Sequence, residues 1–215
     1  DNSSLSNTMK YWDEYYSEDN NSSYNIPPSQ FAAFCLSEMK EMAITNLVEI
    51  ASGNGRDALF FANHGVKVLA TDNSKEALKL LEAKFIKHKN IRVSHHDATE
   101  KFLDFEKHSN PQTAFYARFF IHTLNDCGLQ RFFENISSVM RSGDILFLEY
   151  RNVGDASGTK ITKAHFRAFH EADKISKISK ENYLKLTYEI SGKGFAKWRQ
   201  DDASITRQVF QYVEK

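Results

Sequence analysis

The sequence predicts an α/β fold: a doubly wound, mostly parallel seven-stranded sheet carrying an antiparallel hairpin at one edge. Three observations carry this expectation. Between residues 31 and 151, short apolar runs alternate with amphipathic segments of about ten residues, as they do when helices cross over between parallel strands. The runs LVEIA, VKVLATD and DILFLEYR are nearly continuous in apolar residues, as befits strands buried on both faces. After Arg151 the alternation stops, and two longer strand-like runs follow a polar stretch.

Taken in order, residues 31–42 read as a helix and 47–51 as the first strand. A helix over 57–64, a strand over 66–72, an amphipathic helix over 75–88 and a strand over 91–97 follow. Residues 113–120 are predicted as the fourth strand, 129–140 as a helix and 144–151 as the fifth strand. A helix is expected from about 163 to 172, and strands over 183–191 and 205–213 complete the sheet as its antiparallel edge. Residues 1–30 are polar and end in NIPPSQ, which predicts an N-terminal arm whose YWDEYY cluster docks on the body or covers a site. Residues 31–215 are then one domain, a size that buries a substantial core.

Composition narrows the function classes. Lys+Arg and Asp+Glu are equal at 28 each, but residues 151–215 hold 13 basic against 8 acidic residues, leaving 15 against 20 before them. The basic excess favours a small anionic partner over nucleic acid, because no stripe of interleaved basic and aromatic residues accompanies it. Two cysteines, Cys35 and Cys127, are too few for a disulfide framework and fit a reducing cytoplasm. No apolar run approaches the roughly 18 residues of a membrane span. Metal binding is not expected, because His95 and His96 are adjacent on a strand and point to opposite faces.

In a doubly wound sheet, ligands bind where the strands end and the strand order reverses, so the strand-closing residues are the candidates. The first loop, SGNGRD, has Gly53 and Gly55 for a tight turn close to a ligand. Gly53, Gly55 and Ala58 satisfy a loose dinucleotide pattern, so a nicotinamide-dependent oxidoreductase and a non-catalytic nucleotide-binding module remain alternatives. Glu49 weighs against a pyrophosphate here, since a desolvated carboxylate beside a dianion is unfavourable. A ligand with an ammonium group suits it better.

Glu49 followed by SGNG, Asp72 closing LATD 23 residues later, and Asp97-Ala98 in HHDAT together resemble the class I S-adenosylmethionine-dependent methyltransferases, whose fold is Rossmann-like. Ala51 and Arg56 stand where the fullest family pattern has glycine. The resemblance implies S-adenosylmethionine as cofactor and S-adenosylhomocysteine as product. It implies a cofactor site made of Glu49, Ala51, Gly53, Gly55, Arg56, Asp57, Asp72, Asn73, Asp97, Ala98 and Arg118, with Asp72 on the ribose hydroxyls and Asp97 near the adenine. A bidentate carboxylate matches two vicinal hydroxyls.

For the acceptor, YARFFIHTLND offers Arg118 and His122, while Arg151, His165 and Arg167 follow the fifth strand. The YARFF, HFRAF and GFAKWRQDD segments resemble small methyltransferases of bacterial surface and capsular polysaccharide assembly. That resemblance implies cytoplasmic O-methylation of a phosphorylated or nucleotide-linked carbohydrate, its phosphoramidate group included. A sugar hydroxyl would need His122 or His165 as base, whereas an anionic phosphoryl-type oxygen needs the arginines for positioning. The oligomeric state is not encoded in any pattern of the sequence.

Overall fold

The computed structural model describes residues 26–101, 112–155 and 168–214. Ser29 opens the first helix, α1 (Gln30–Glu41), by accepting the Ala32 N–H on its hydroxyl at 3.0 Å. Phe31, Ala32, Cys35, Leu36 and Met39 recur along one face of α1 and are buried. The first strand, β1 (Asn46–Ile50), leads through the glycine turn into α2 (Arg56–Asn63) and β2 (Lys67–Asp72). Ser74 caps α3 (Lys75–Phe85), which returns the chain to β3 (Ile91–His95). Then come β4 (Thr113–Arg118), α4 (Asp126–Val139) capped by Asn125, and β5 (Ile145–Arg151), every residue of which is buried.

The remaining elements are α5 (Ala172–Glu181), β6 (Leu184–Gly192), the two-residue strands β7 (Lys197–Trp198) and β8 (Asp201–Asp202), and β9 (Ile205–Tyr212). The main sheet has seven strands in the order β3-β2-β1-β4-β5-β9-β6. The first five pair in parallel, and β9 pairs antiparallel with both β5 and β6. The expected parallel sheet with an antiparallel edge is therefore present, with β7 and β8 forming a separate small hairpin.

Alternation along the strands divides the core between the two faces. Ala114 and Tyr116 of β4 pack with Phe31, Phe61 and Leu81, whereas Phe115 and Ala117 pack with Leu129, Phe132 and Phe133. Strand order reverses between β1 and β4, which opens a crevice at their carboxyl ends.

One expectation differs from the structure. Of the helix expected over 163–172, residues 163–167 lie outside the described residues, while Ala168 and Phe169 are not helical and α5 begins at Ala172. The sequence ADKISKISKE hides this helix because it has few apolar positions and two β-branched isoleucines, poor helix formers by propensity. The hairpin β7–β8 has no alternating apolar pattern to announce it. Most of the N-terminal arm, including YWDEYY, lies outside the described residues.

Candidate functional site

Glu49, the fourth residue of β1, lies 4% exposed beneath the glycine turn, and its Oε2 has no hydrogen-bond partner. Burial pushes its carboxyl well above the usual range, and the negative charges of Asp57 and Asp72 push it further. A buried carboxylate oxygen left unsatisfied in the protein is a vacancy for a donor. The backbone above it is strained: Ala51 holds φ 54°, beside Gly53 at 55° and Gly55 at 70°. Ala51 thus occupies the conformation that the glycine of the fullest family pattern adopts without cost.

Asp72 ties this turn to β2. Its Oδ2 accepts the Gly53 N–H and its Oδ1 accepts the Ser74 N–H, both at 2.9 Å. These bonds orient the group at the end of β2. Asp97 is held similarly, accepting from Asn73 Nδ2 at 2.9 Å, from the Thr99 N–H at 2.9 Å and from the Thr99 hydroxyl at 2.7 Å. Ala98 beside it is buried. Asn73 and Asp97 therefore join the ends of β2 and β3 in one cluster. Lys84, which the sequence reading passed over, donates to the Asn54 carbonyl at 2.9 Å and braces the turn from α3.

Gly55 and Asp57 have duties other than those expected. A Cβ at Gly55 would lie 2.5 Å from Leu81 Cδ2 and 2.6 Å from Phe85 Cε2, so α3 closes over this glycine. Its missing side chain serves helix packing. Asp57 accepts the Ser29 N–H and hydroxyl, both at 2.7 Å, and the Tyr116 hydroxyl at 2.6 Å. It joins the start of α1, the start of α2 and β4, which occupies both its oxygens within the fold. Arg56 opens α2, donates to the Pro27 carbonyl at 3.4 Å and stacks on Trp198, its guanidinium 5.2 Å from the ring centroid.

The carboxyl ends of β4 and β5 are built differently. Arg118 donates from Nε to Glu149 Oε1 at 2.8 Å, and Arg207 donates from Nε to Glu149 Oε2 at 2.6 Å. Glu149, 1% exposed, is thus clamped between two guanidiniums. Arg151 is paired with Asp155 at 2.7 Å and with Asp201. The expected acceptor grip of Arg151 is in this arrangement committed to two carboxylates. Phe119, in the left-handed region at φ 55°, lies 3.9 Å from the Arg118 guanidinium and 5.3 Å from that of Arg151. A bulky residue in that region marks local strain at the end of β4.

His122 sits in the 3-10 turn Ile121–Thr123, 3% exposed, with its Nδ1 accepting the Arg151 backbone N–H at 3.2 Å. That bond fixes the neutral tautomer with the proton on Nε2. His165 and Arg167 lie outside the described residues. Glu149, Arg207, Phe119 and Trp198 complete the site without having been assigned from sequence. A lone arginine in the apolar run ITRQVFQY was the available signal for Arg207.

A family model described as a methyltransferase domain matches residues 47–143, from β1 through α4, the stretch that builds the crevice. The fold is that of the class I, S-adenosylmethionine-dependent methyltransferases. The unpartnered oxygen of Glu49 fits the ammonium group of S-adenosylmethionine.

Solved structures share the methyltransferase fold at low identity. An S-adenosylmethionine-dependent methyltransferase from Anabaena variabilis matches with a TM-score of 0.69 at 16% identity, over 96% of this chain and 95% of that one. A glycopeptide N-methyltransferase complexed with S-adenosylmethionine gives 0.60 at 13%, over 83% and 87%. Magnesium protoporphyrin IX methyltransferase from Synechocystis, with bound S-adenosylhomocysteine, gives 0.62 at 12%, over 84% and 82%. No curated protein matches the chain significantly. Among the described residues no cluster of His, Cys, Asp and Glu suits a metal ion, and no helix is long and apolar enough to cross a membrane.

Proposed function

We propose that the protein is an O-methyltransferase whose acceptor is an anionic carbohydrate, phosphorylated or nucleotide-linked and including a phosphoramidate group, used in making a bacterial surface or capsular glycan. A cytoplasmic setting goes with an activated sugar precursor. One observation carries the acceptor's charge. Arg56 and Arg118 stand at the crevice mouth, at the start of α2 and the end of β4, while His122 has one ring nitrogen bound to backbone. Burial lowers the pKa of Arg56, and the positive charge of Arg118 lowers it further. An anion between the two guanidiniums would relieve that repulsion.

The cofactor supplies a methyl group activated on a sulfonium, which passes to the acceptor oxygen as the sulfonium becomes a neutral thioether. The protein's part is to align that oxygen and keep water out, which is worth up to roughly 7 to 11 kcal/mol of the barrier. Glu49 holds the donor's ammonium group and Asp72 its ribose. Arg118, fixed through Nε by Glu149, orients the acceptor. An oxygen that is already anionic gives up no proton.

The test is methyl incorporation into a panel of phosphorylated and nucleotide-linked sugars. Arg118→Ala is expected to raise KM and lower kcat, with His122→Ala milder. A loss of about 10² to 10⁴-fold in His122→Ala or His165→Ala, with Arg118→Ala near wild type, would instead assign a neutral hydroxyl and a general base.

A further inference from the structure

We propose that Trp198 is a positioning residue of the donor site, closing the hairpin β7–β8 over the crevice through its stack on Arg56. This rests on the donor lying at the carboxyl ends of β1 and β4. The register places the hairpin at that end. Gly192, the last residue of β6, pairs with Ile205, the first of β9, and Ile205 also pairs with Arg151 at the carboxyl end of β5. The connection 193–204 therefore emerges on the same side as the strand ends that form the crevice.

The base of this connection is firmly held. Arg207 donates from Nη2 to the Phe195 carbonyl at 2.7 Å, Arg151 pairs with Asp201, and the Gly194 N–H donates to Asp202 Oδ1 at 2.7 Å. Ala196, Ala203 and Ile205 are buried in a small cluster against Phe119 and Phe195. The base of the hairpin thus packs against Phe119, the strained residue just after β4. Its tip is the opposite: Trp198 is 39% exposed, and Arg199 beside it is in the left-handed region at φ 54°.

From that tip the indole reaches across to Arg56, the residue directly after the glycine turn. Arg56 otherwise makes only long contacts with its guanidinium, donating to the Pro27 carbonyl at 3.4 Å and lying 3.9 Å from Asp57 Oδ1. A cation partly withdrawn from water gains from an aromatic face, so Trp198 decides where the Arg56 guanidinium rests. An indole spanning from the acceptor-side elements to the donor turn senses the filling of the crevice between them. The hairpin's anchors at Arg151 and Arg207 fix the pivot.

The experiment uses the full chain labelled with fluorotryptophan, whose two resonances, Trp12 and Trp198, are assigned by Trp198→Phe. Titration with S-adenosylhomocysteine should shift the Trp198 resonance saturably, at the Kd found by calorimetry. Trp198→Ala should weaken binding roughly two- to fivefold, with Trp198→Phe recovering most of the loss. Binding heat with an unmoved Trp198 resonance, or Trp198→Ala binding as tightly as wild type, overturns the proposal. Absence of any binding heat in the wild type removes the cofactor reading and this proposal with it.

Discussion

The two halves of the crevice treat charge in opposite ways. At the ends of β1 and β2, Glu49 is buried with an oxygen unsatisfied and Ala51 is held in a strained conformation, so the fold carries a cost there. At the ends of β4 and β5, Glu149 is fully paired with Arg118 and Arg207, and Arg151 with Asp155 and Asp201. The first half leaves a polar atom unpaired, whereas the second pairs its charges within the fold. Strain and orphaned polar atoms are tolerated where binding repairs them, and pre-paired ions hold the surroundings in place.

The largest effect expected from this contrast is at Glu149. Glu149→Ala strands two guanidiniums, with side chains 16% and 9% exposed, and should cost about 3 to 5 kcal/mol of stability. Chemical denaturation reads this directly, and a loss under 1 kcal/mol would mean the clamp is merely a surface ion pair. Gly55→Ala comes next. Its Cβ meets Leu81 and Phe85 at φ 70°, so overpacking and backbone strain together should cost about 2 to 4 kcal/mol. The expected signature is a lowered Tm that S-adenosylhomocysteine only partly restores; a normal Tm with lost binding would return Gly55 to the ligand's side of the turn.

The smallest effect has the opposite sign. Ala51→Gly removes the left-handed penalty of an L residue at φ 54°, which outweighs the extra freedom of an unfolded glycine, for a net gain of about 0.5 to 1 kcal/mol. Donor affinity should be equal or better. A destabilised Ala51→Gly would show that the turn is not strained.

The same division explains what the sequence disclosed. Glu49, Asp72 and Asp97 each lie at or just beyond the end of a strand, so local pattern and spacing singled them out, and the parallel sheet with its antiparallel edge was legible in the alternation of runs. The acceptor half is assembled from partners far apart in the chain: Arg118 and Glu149 are separated by 31 residues, Arg207 and Glu149 by 58, Arg151 and Asp201 by 50. No periodicity records which charge meets which. Arg151 consequently read as a free grip, and Arg207 went unnoticed in a strand that otherwise reads as core. The structural bonds of Asp57 were hidden for a related reason, since its partners Ser29 and Tyr116 lie on elements that meet only after folding.

Glu49 provides the most direct measurement, by calorimetry and thermal unfolding of Glu49→Gln against wild type across pH. Its folded pKa is raised, so wild-type stability is intact below the ordinary glutamate value and declines as pH rises toward the folded one. Glutamine has no such penalty, so the variant should match wild type near pH 5 and be the more stable protein at pH 8. Affinity for S-adenosylmethionine should run the other way: in wild type it strengthens as Glu49 deprotonates, with proton release on binding, and in Glu49→Gln it is weaker at pH 8 and flat with pH. A variant that binds the donor as tightly as wild type, with no stability difference opening as pH rises, would contradict the account.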